Sequence, residues 1–545
     1  MNRNSSLQSD LTRSRRLISG VVILTLSNIL VKCIGLFFKI PISYILSDIG
    51  MGYFNAAYTI YAWLYMVSTA GVPVAVSVMI SGALASEDPV YAEQIRKTAG
   101  RLLLWIGASA SILLILLSGP LSRIIGAPEA RFAMIAVAPT LLFVSVQSVI
   151  RGKFQGHRNM SPTAFSQLIE SAGKLFPGIL LAYLAAKRGL GYPLIAAFGI
   201  LGVSIGAFFA MLYLIAKEKR WNARYSYVSG QKESSQKRVL GPLMRLIVPI
   251  TLSSSVMSLT SLIDLGMIMR RLQIAGLESG EATALYGNYT TLVVPLFNVP
   301  SVLVYPIACA LIPEISSYLT AGKCREASRT IGSALKLSSM ISLPCAMGIG
   351  VFSYPILSLV FRDQSAAIAA PLLSLLAPAI FFLCMLAVTN SILQASGRSI
   401  CPMISMLCGA LVKLIVGYAL IGNPTVAMKG APISTLAFYV TASLLNLLFV
   451  IRTSKEAPSF DGLLLRPLFA SICSVLSGMV IYRVLPESTA GLVRLVLAVF
   501  PTVIIYLFLV LYLRILSDRE LEAIPFGGRI ISMRKPKKRR YERKI

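Results

Sequence analysis

The first long apolar stretch of the chain carries two lysines and an asparagine where a membrane-spanning helix is expected. Residues 17–46 contain Asn28, Lys32 and Lys39, although a span needs about 20 mostly apolar residues. At about 100° per residue, these three side chains share one helix face. A charge at membrane depth costs at least about 2.5 kcal/mol. We therefore expect this face to line a wet, cationic cavity that binds an anion.

Later apolar segments add charged residues in both halves of the chain. These are Glu170, Lys174, Asp264, Arg270, Arg271 and Lys413. Glu170 and Lys174 are spaced i,i+4, so they either form a local ion pair or contribute separately to a site. Lys39, Arg270 and Arg271 lie near span ends, where long side chains reach the membrane surface at low cost. Lys32 lies deeper and is the strongest binding candidate, whereas Asp264 and Glu170 are candidates for coupling transport to an ion.

This excess of cations over carboxylates predicts the chemistry of the substrate. Lysine and arginine bind phosphate or pyrophosphate oxygens through charge-assisted hydrogen bonds, whereas a cationic drug would be repelled. Polar residues inside other spans could bind a sugar headgroup or join helices to one another. They are Gln167, Asn288, Asn298, Asn390 and Gln394.

Composition places the chain among integral membrane proteins. Of its 545 residues, 56% are hydrophobic and 13% charged, against about 25% charged in soluble proteins. The net charge of +29 comes from basic residues between apolar segments, which favours membrane topology over nucleic-acid binding. The eight cysteines are not in paired spacings and there is one histidine, so neither a disulfide framework nor a zinc site is expected.

No sequence motif predicts catalysis. The chain has no P-loop, no Rossmann glycine pattern, and no Ser-His-Asp arrangement that its single histidine could complete. We therefore expect a protein that is not an enzyme and has no cofactor, with a monovalent cation or the membrane potential as possible sources of energy.

Fourteen apolar segments reach spanning length, which predicts an all-α polytopic membrane protein. They are residues 17–46, 52–84, 98–118, 131–150, 162–186, 193–216, 242–270, 285–318, 330–353, 366–394, 402–421, 428–451, 463–485 and 491–513. Most lysines and arginines lie in one set of alternate loops and in both tails, so the positive-inside rule predicts that both termini are cytoplasmic.

An internal repeat predicts two lobes. GMGYFNAAYTIYAWL has a loose counterpart in ATALYGNYTTLVVPL, and FQGHRNMSPTAFSQLIESAGKL is echoed by LQASGRSICPMISMLCGALVKL. Transporters often bind substrate between such repeats. The predicted organisation is an N-terminal six-helix lobe at 1–216, a basic cytoplasmic linker at 217–241, a C-terminal six-helix lobe at 242–452, two added spans at 453–515 and a basic cytoplasmic tail at 516–545.

Four stretches resemble a known family. They are LFFKIPISYIL, IGMGYFNAAYTIYAWLYMVSTAGVPVAVS, IRGKFQGHRNMSPTAFSQLIE and EATALYGNYTTLVVPLFNVPSVLVYPIACALIPEIS. Together they are similar to the MurJ-like and stage V sporulation protein B-like flippases of the multidrug/oligosaccharidyl-lipid/polysaccharide (MOP) exporter superfamily. The resemblance covers nearly the whole chain, and its most specific piece is the stretch from Arg151 to Glu170.

The resemblance implies two six-helix lobes in a V shape, with two added helices that form a groove for a lipid tail. It also implies that a peptidoglycan precursor, lipid II, or a related undecaprenyl-pyrophosphate-linked oligosaccharide is flipped across the bacterial cytoplasmic membrane by alternating access. Lys32 and Lys39 match basic, often arginine, positions of the family's first helix, and Arg270 and Arg271 match a basic pair closing the seventh. The acidic position near the first helix of some relatives has no clear equivalent.

Two other functions stay open on the sequence alone. A cation-coupled exporter of drugs or small molecules in the same superfamily would need a less cationic cavity. A membrane scaffold without transport activity would instead recruit cell-wall synthesis proteins through its basic tail. The resemblance implies a role in peptidoglycan biosynthesis, in vegetative growth or in sporulation. The expected partners are the lipid-linked glycan, the membrane and possible cell-wall synthesis proteins, with no nucleic acid.

Overall fold

The described part of the chain is built from helices. The computed structural model describes residues 2–69, 71–157, 159–224, 236–398, 400–453, 461–486, 490–513 and 515, and these contain no strand. Eighteen α-helices occur within them. In chain order they are α1 (Asn2–Thr69), α2 (Val72–Ala85), α3 (Pro89–Ile124), α4 (Arg131–Val137), α5 (Pro139–Gly156), α6 (Ser161–Lys187), α7 (Tyr192–Arg224), α8 (Gln236–Ile274), α9 (Ser279–Asn288), α10 (Val294–Thr320), α11 (Cys324–Val351), α12 (Ser353–Val360), α13 (Asp363–Leu376), α14 (Ala379–Ala395), α15 (Ile400–Ile421), α16 (Gly430–Thr453), α17 (Arg466–Val484) and α18 (Gly491–Tyr512).

The predicted all-α polytopic architecture is confirmed. Ten helical stretches among the described residues are long and apolar enough to cross a membrane, and α13 with α14, bent by 52° at their junction, brings the number to eleven. The first stretch, Cys33–Leu84, contains the second half of the predicted span at 17–46 and the whole of the one at 52–84. All fourteen predicted spans fall on helices, including the one on α8 and the one divided between α9 and α10.

Helix α1 consists of two limbs that meet at Ser47. The backbone of Ser47 leaves the helical region, with φ 57° and ψ 178°. The rings of Phe38 and Phe54, on either side of this kink, lie 5.8 Å apart, whereas sixteen residues of straight helix would separate them by about 24 Å. The two limbs therefore fold toward each other and present their side chains to the same surroundings.

The chain divides into two compact units. The first contains Met1–Pro295, Phe361–Ile368 and Leu414–Ala431, and the second contains the three remaining segments, Leu296–Val360, Ala369–Lys413 and Pro432–Ile545. These units are defined by compactness and the predicted lobes by an internal repeat, so the lobe boundaries stay a prediction. Helices α7 and α8 extend into the predicted linker, and residues 225–235 and the predicted tail at 516–545 lie outside the described part.

Glycines bring α6 and α7 unusually close within the first unit. Gly173 of α6 faces Gly206 of α7, and a Cβ added at either position would collide with the backbone of the opposite helix. The hydroxyl groups of Thr140 and Ser204 lie 2.7 Å apart and join α5 to α7. The close packing against α7 holds α6, the helix that carries Glu170 and Lys174, in place.

Candidate functional site

Two lysines of the first unit, Lys39 and Lys174, lie close enough to repel each other electrostatically. Lys39 is on the first limb of α1 and Lys174 on α6. Neither ammonium group has a carboxylate within ion-pair distance among the residues that the structure describes. We call these two lysines, with Phe38 and Tyr58, the lysine-pair site.

Lys39 binds the backbone of a distorted helical turn. Its Nζ donates a hydrogen bond of 2.9 Å to the carbonyl oxygen of Thr290, which lies in a π-helical turn, Tyr289–Val293, between α9 and α10. Single π-helical turns are frequent at functional sites because they change the normal pattern of backbone hydrogen bonds. The described partner of Lys39 is therefore a neutral carbonyl oxygen and not a carboxylate.

Lys174 is held by aromatic rings. Its Nζ lies 4.4 Å from the centre of the Tyr58 ring and 5.0 Å from that of Phe38. A cation is attracted to the negative face of an aromatic ring, so the two rings stabilise the ammonium group without neutralising it. The rings come from the two limbs of α1, which explains why the fold at Ser47 is needed to build the site.

Glu170 does not form the local ion pair with Lys174 that its spacing allows. Its Oε2 instead accepts a hydrogen bond of 3.0 Å from Nη2 of Arg151. Nε of Arg151 donates to the hydroxyl oxygen of Ser166 at 2.9 Å. Arg151 comes from α5, and both of its partners are on α6. These bonds therefore connect the two ends of the stretch from Arg151 to Glu170, which is the most family-specific part of the sequence.

A separate ion network lies two residues further along α5, at Lys153, which is 1% exposed. The Nζ of Lys153 contacts Glu93 at 3.3 Å, Glu218 at 3.1 Å and the side-chain oxygen of Asn222 at 2.8 Å. Arg96 contacts Glu93 at 2.8 Å and Glu218 at 3.5 Å. We call these five residues the Lys153 network. It joins α3, α5 and α7, and its two cations face two carboxylates.

His157 lies next to this network. Its Nδ1 is 2.9 Å from the carbonyl oxygen of Lys153, and its ring meets Trp221 edge to face. Burial lowers the pKa of His157 below its usual value, which favours the neutral imidazole. The single histidine of the sequence therefore packs against the protein at the end of α5.

Arg270 and Arg271, the basic pair predicted at the end of the seventh span, have different surroundings. Arg270 is exposed. The guanidinium of Arg271 lies 3.9 Å from the centre of the Tyr418 ring, and Gly422 leaves room for it, because a Cβ there would collide with that group. The carboxylate of Asp264 lies near enough to Tyr286 to interact with it electrostatically. All of these residues belong to the first unit.

The remaining predicted site residues are not brought to the lysine-pair site by any described contact. Lys413 is 3% exposed and belongs to the second unit, where its Nζ lies 5.9 Å from the centre of the Phe438 ring. Asn28 and Lys32 lie in α1, but their side chains fall outside the described part of the structure. Their predicted roles, like those of all the site residues, stay predictions.

Two of the polar residues predicted inside spans join helices. Asn288 donates to the carbonyl oxygen of Ser365 at 3.2 Å, and the side-chain oxygen of Asn390 accepts from Asn446 at 2.6 Å. Gln167 differs, because its side-chain oxygen is buried without a hydrogen-bond partner. Among the described residues, no group of three or more His, Cys, Asp or Glu side chains could hold a metal ion.

Sequence reasoning missed the burial of Arg151 and Lys153. Both follow the predicted span at 131–150 and precede the one at 162–186, so they fall in a predicted basic loop, yet they are 6% and 1% exposed. The available signal was the pairing of Arg151 with an acidic residue, Glu170, inside the next span. The i,i+4 rule favoured Lys174 as the partner of Glu170, because this rule considers only neighbours on the same helix.

Comparisons with known proteins agree with this architecture. A family model described as polysaccharide biosynthesis protein matches residues 17–319, and a second model, MatE, matches residues 249–419. The chain is 24% identical over 524 residues to Stage V sporulation protein B of Bacillus subtilis (strain 168), covering 94% of this chain and 98% of that protein. It is 23% identical over 487 residues to Lipid II flippase MurJ of the same organism, covering 86% and 88% of the two chains.

A solved structure shows the same fold. The lipid II flippase MurJ in an inward closed conformation superposes with a TM-score of 0.68 at 13% sequence identity, over 90% of this chain and 99% of that chain. The first family model covers more than half of the present sequence. The chain therefore belongs to the polysaccharide biosynthesis protein family.

Proposed function

We propose that this protein flips an undecaprenyl-pyrophosphate-linked oligosaccharide, lipid II or a related polysaccharide precursor, from the cytoplasmic to the outer leaflet by alternating access. The observation that carries the proposal is the lysine-pair site. Lys39 and Lys174 place two basic amino groups near each other, and the carboxylate closest in sequence, Glu170, is bound to Arg151. Such an arrangement favours an anionic ligand.

The partners of the two lysines are compatible with reversible binding of a ligand. Lys39 bonds to a neutral carbonyl oxygen, and a phosphate oxygen would accept from the same ammonium group more strongly, because it is charged. Lys174 is stabilised by Phe38 and Tyr58, whose ring faces leave its charge available. The pyrophosphate would bridge the two ammonium groups and relieve their mutual repulsion.

Gln167 fits the sugar part of the same substrate. It lies on the same face of α6 as Lys174, seven residues earlier. Its buried side-chain oxygen makes no hydrogen bond, and a buried acceptor without a donor is costly. A sugar hydroxyl next to the pyrophosphate is a donor of suitable chemistry.

The membrane arrangement follows from the same proposal. The protein would lie in the bacterial cytoplasmic membrane with both termini cytoplasmic, and α17 and α18 would be the two added spans beside the lipid tail. A monovalent cation or the membrane potential would drive the cycle. Asp264 is the better candidate for ion coupling, because the carboxylate of Glu170 already binds Arg151.

The other functions predict different behaviour. A drug exporter of the same superfamily that carried cations would bring its substrate toward two ammonium groups, which the lysine-pair site opposes. A scaffold without transport activity, recruiting cell-wall synthesis proteins through the tail at 516–545, should lose its function when that tail is deleted. A flippase should keep most of its transport rate after the same deletion.

The test is lipid flipping in proteoliposomes with a fluorescent undecaprenyl-pyrophosphate-linked oligosaccharide. Replacing Lys174 by alanine should lower the initial rate by about 10-fold or more, because a hydrogen bond to a charged group contributes about 1.5–3 kcal/mol. Arg188→Ala is the matched control, since Arg188 is an exposed cation at the end of the same helix. Equal rates for both variants would contradict the proposal.

A further inference from the structure

The ion pair between Arg151 and Glu170 has a second consequence beyond joining α5 to α6. We propose that Arg151 is a positioning residue for transport, because its hold on Glu170 keeps that carboxylate from neutralising Lys174. The inference rests on the proposed function, since it concerns the charge of the lysine-pair site. The inference gives Arg151 a role in substrate binding, although Arg151 lies on α5 and none of its described contacts is with a residue of the lysine-pair site.

Arg151 is fixed by two contacts at once. Its side chain is buried, its Nη2 bonds to Glu170 at 3.0 Å and its Nε to Ser166 at 2.9 Å. The hydroxyl of Ser166 donates to the carbonyl oxygen of Thr163 at 2.8 Å, so its lone pairs face Arg151. An arginine fork held at both ends leaves little freedom for Glu170 to turn elsewhere.

Glu170 has a competing partner on its own helix. Lys174 lies four residues later on the same face of α6, and residues at this spacing are close enough to form an ion pair. Moving the carboxylate from Arg151 to Lys174 would need only a change of side-chain rotamer. The observed structure therefore shows one of two possible pairings, the one in which Lys174 keeps its charge.

The partly buried surroundings of Glu170 favour its pairing with one of these two cations. Tyr61, which is 5% exposed, lies within electrostatic reach of both Arg151 and Glu170, so the pair is set among buried groups. The side chain of Glu170 itself is partly buried, with 24% of its surface exposed, and a carboxylate in such a setting is stabilised by pairing with a nearby cation. Without Arg151, the cation one turn away on the same helix face is Lys174. Pairing there would cancel half the positive charge of the lysine-pair site.

The experiment compares single and double neutral variants in the flipping assay on the full-length protein. Arg151→Gln should lower the initial rate by about 10-fold, mainly by raising the substrate concentration needed for half-maximal rate, because Lys174 becomes neutralised. The double variant Arg151→Gln with Glu170→Gln removes the competing carboxylate. Its rate should return to within about threefold of the unmodified protein.

A structural role for Arg151 would give the opposite pattern. If Arg151 mattered only by joining α5 to α6, the double variant would be as impaired as Arg151→Gln, and that result would overturn the inference. Thermal melting and size-exclusion chromatography establish that each variant is folded. If Arg151→Gln does not fold, Arg151→Lys replaces it, with an intermediate rate expected because a lysine cannot hold Ser166 and Glu170 through one fork.

Failure of this inference can be separated from failure of the proposed function. Lys174→Gln should be as slow as Arg151→Gln in the same assay, and adding Lys174→Gln to the double variant should remove the recovered activity. A slow Lys174→Gln with no recovery in the double variant contradicts only the role of Arg151. A Lys174→Gln variant that flips at the normal rate contradicts both.

Discussion

The lysine-pair site and the Lys153 network lie in the same unit but differ in the partners of their basic side chains. Lys153 and Arg96 face the carboxylates of Glu93 and Glu218. Lys39 and Lys174 meet a carbonyl oxygen and two aromatic rings instead. Sequence alone makes these lysines look alike, since each is a cation within or beside an apolar segment.

This difference in partners distinguishes basic residues that stabilise the fold from basic residues that are available to bind a ligand. A buried cation matched by carboxylates is complete without a ligand, and removing one partner leaves the others uncompensated. A cation stabilised only by neutral groups keeps its charge available for an anion from outside. The comparison predicts that variants of the Lys153 network change stability, whereas variants of the lysine-pair site change transport.

The largest effect is expected at Lys153. Lys153→Ala leaves the two carboxylates of Glu93 and Glu218 with Arg96 as the one cation of the network, and breaking a buried ion pair from one side costs about 3–5 kcal/mol. We expect a much lower melting temperature in detergent and poor expression. An unchanged melting temperature would show that this network does not stabilise the unit. Lys153→Met tests whether restoring the apolar volume recovers any of the loss.

The next effect is expected at Lys39. Lys39→Met should lower the flipping rate by about 10-fold or more through loss of a charged hydrogen bond to pyrophosphate, with a small change in melting temperature. Lys39→Arg keeps the charge and should keep most of the rate. A fall in stability as large as that of Lys153→Ala, with normal flipping by the surviving protein, would remove the distinction between the two regions.

A smaller effect is expected at Tyr58, whose ring lies under the ammonium group of Lys174. Tyr58→Leu removes the cation–π contact, which contributes about 0.5–2 kcal/mol. We expect the flipping rate to fall severalfold. Tyr58→Phe keeps the ring face and should flip normally. Loss of transport in Tyr58→Phe would assign the role to the hydroxyl group and not to the ring face.

The smallest effect is expected at Arg96, the more exposed cation of the Lys153 network. Its side chain is 26% exposed, and ion pairs open to solvent contribute about 0–1 kcal/mol. Arg96→Gln should lower the melting temperature slightly and leave flipping unchanged. A loss as large as that of Lys153→Ala would mean that the network depends equally on both cations.

Much of the fold was predictable because spanning a membrane is a strong constraint on sequence. Each of the fourteen segments at spanning length falls on one helix or on two successive helices, since an apolar run in lipid must satisfy its backbone hydrogen bonds internally. The fold of α1 at Ser47 and the π-helical turn at Tyr289–Val293 were not predicted. Both depend on packing between distant segments, for which the local hydrophobic pattern carries no signal.

The candidate site was predictable in kind and only partly in detail. An excess of cations pointed to an anionic ligand, and Lys39 and Lys174 were among the residues chosen. The partner of Glu170 was left open, because local spacing favoured Lys174 while the actual partner, Arg151, lies on the preceding helix. Ion pairs between helices depend on crossing geometry, in this case set by α5 against α6, which periodicity does not encode.

The central claim is that a pyrophosphate binds between Lys39 and Lys174, and photo-crosslinking tests it most directly. A lipid-linked substrate with a photoreactive group next to the pyrophosphate would be activated on the reconstituted protein and the labelled peptides identified by mass spectrometry. We predict label on the peptides containing Phe38, Tyr58 or Lys174, reduced by excess inorganic pyrophosphate and in Lys174→Ala. Label confined to the peptides around Arg271 or Lys413, unchanged in Lys174→Ala, would contradict the account.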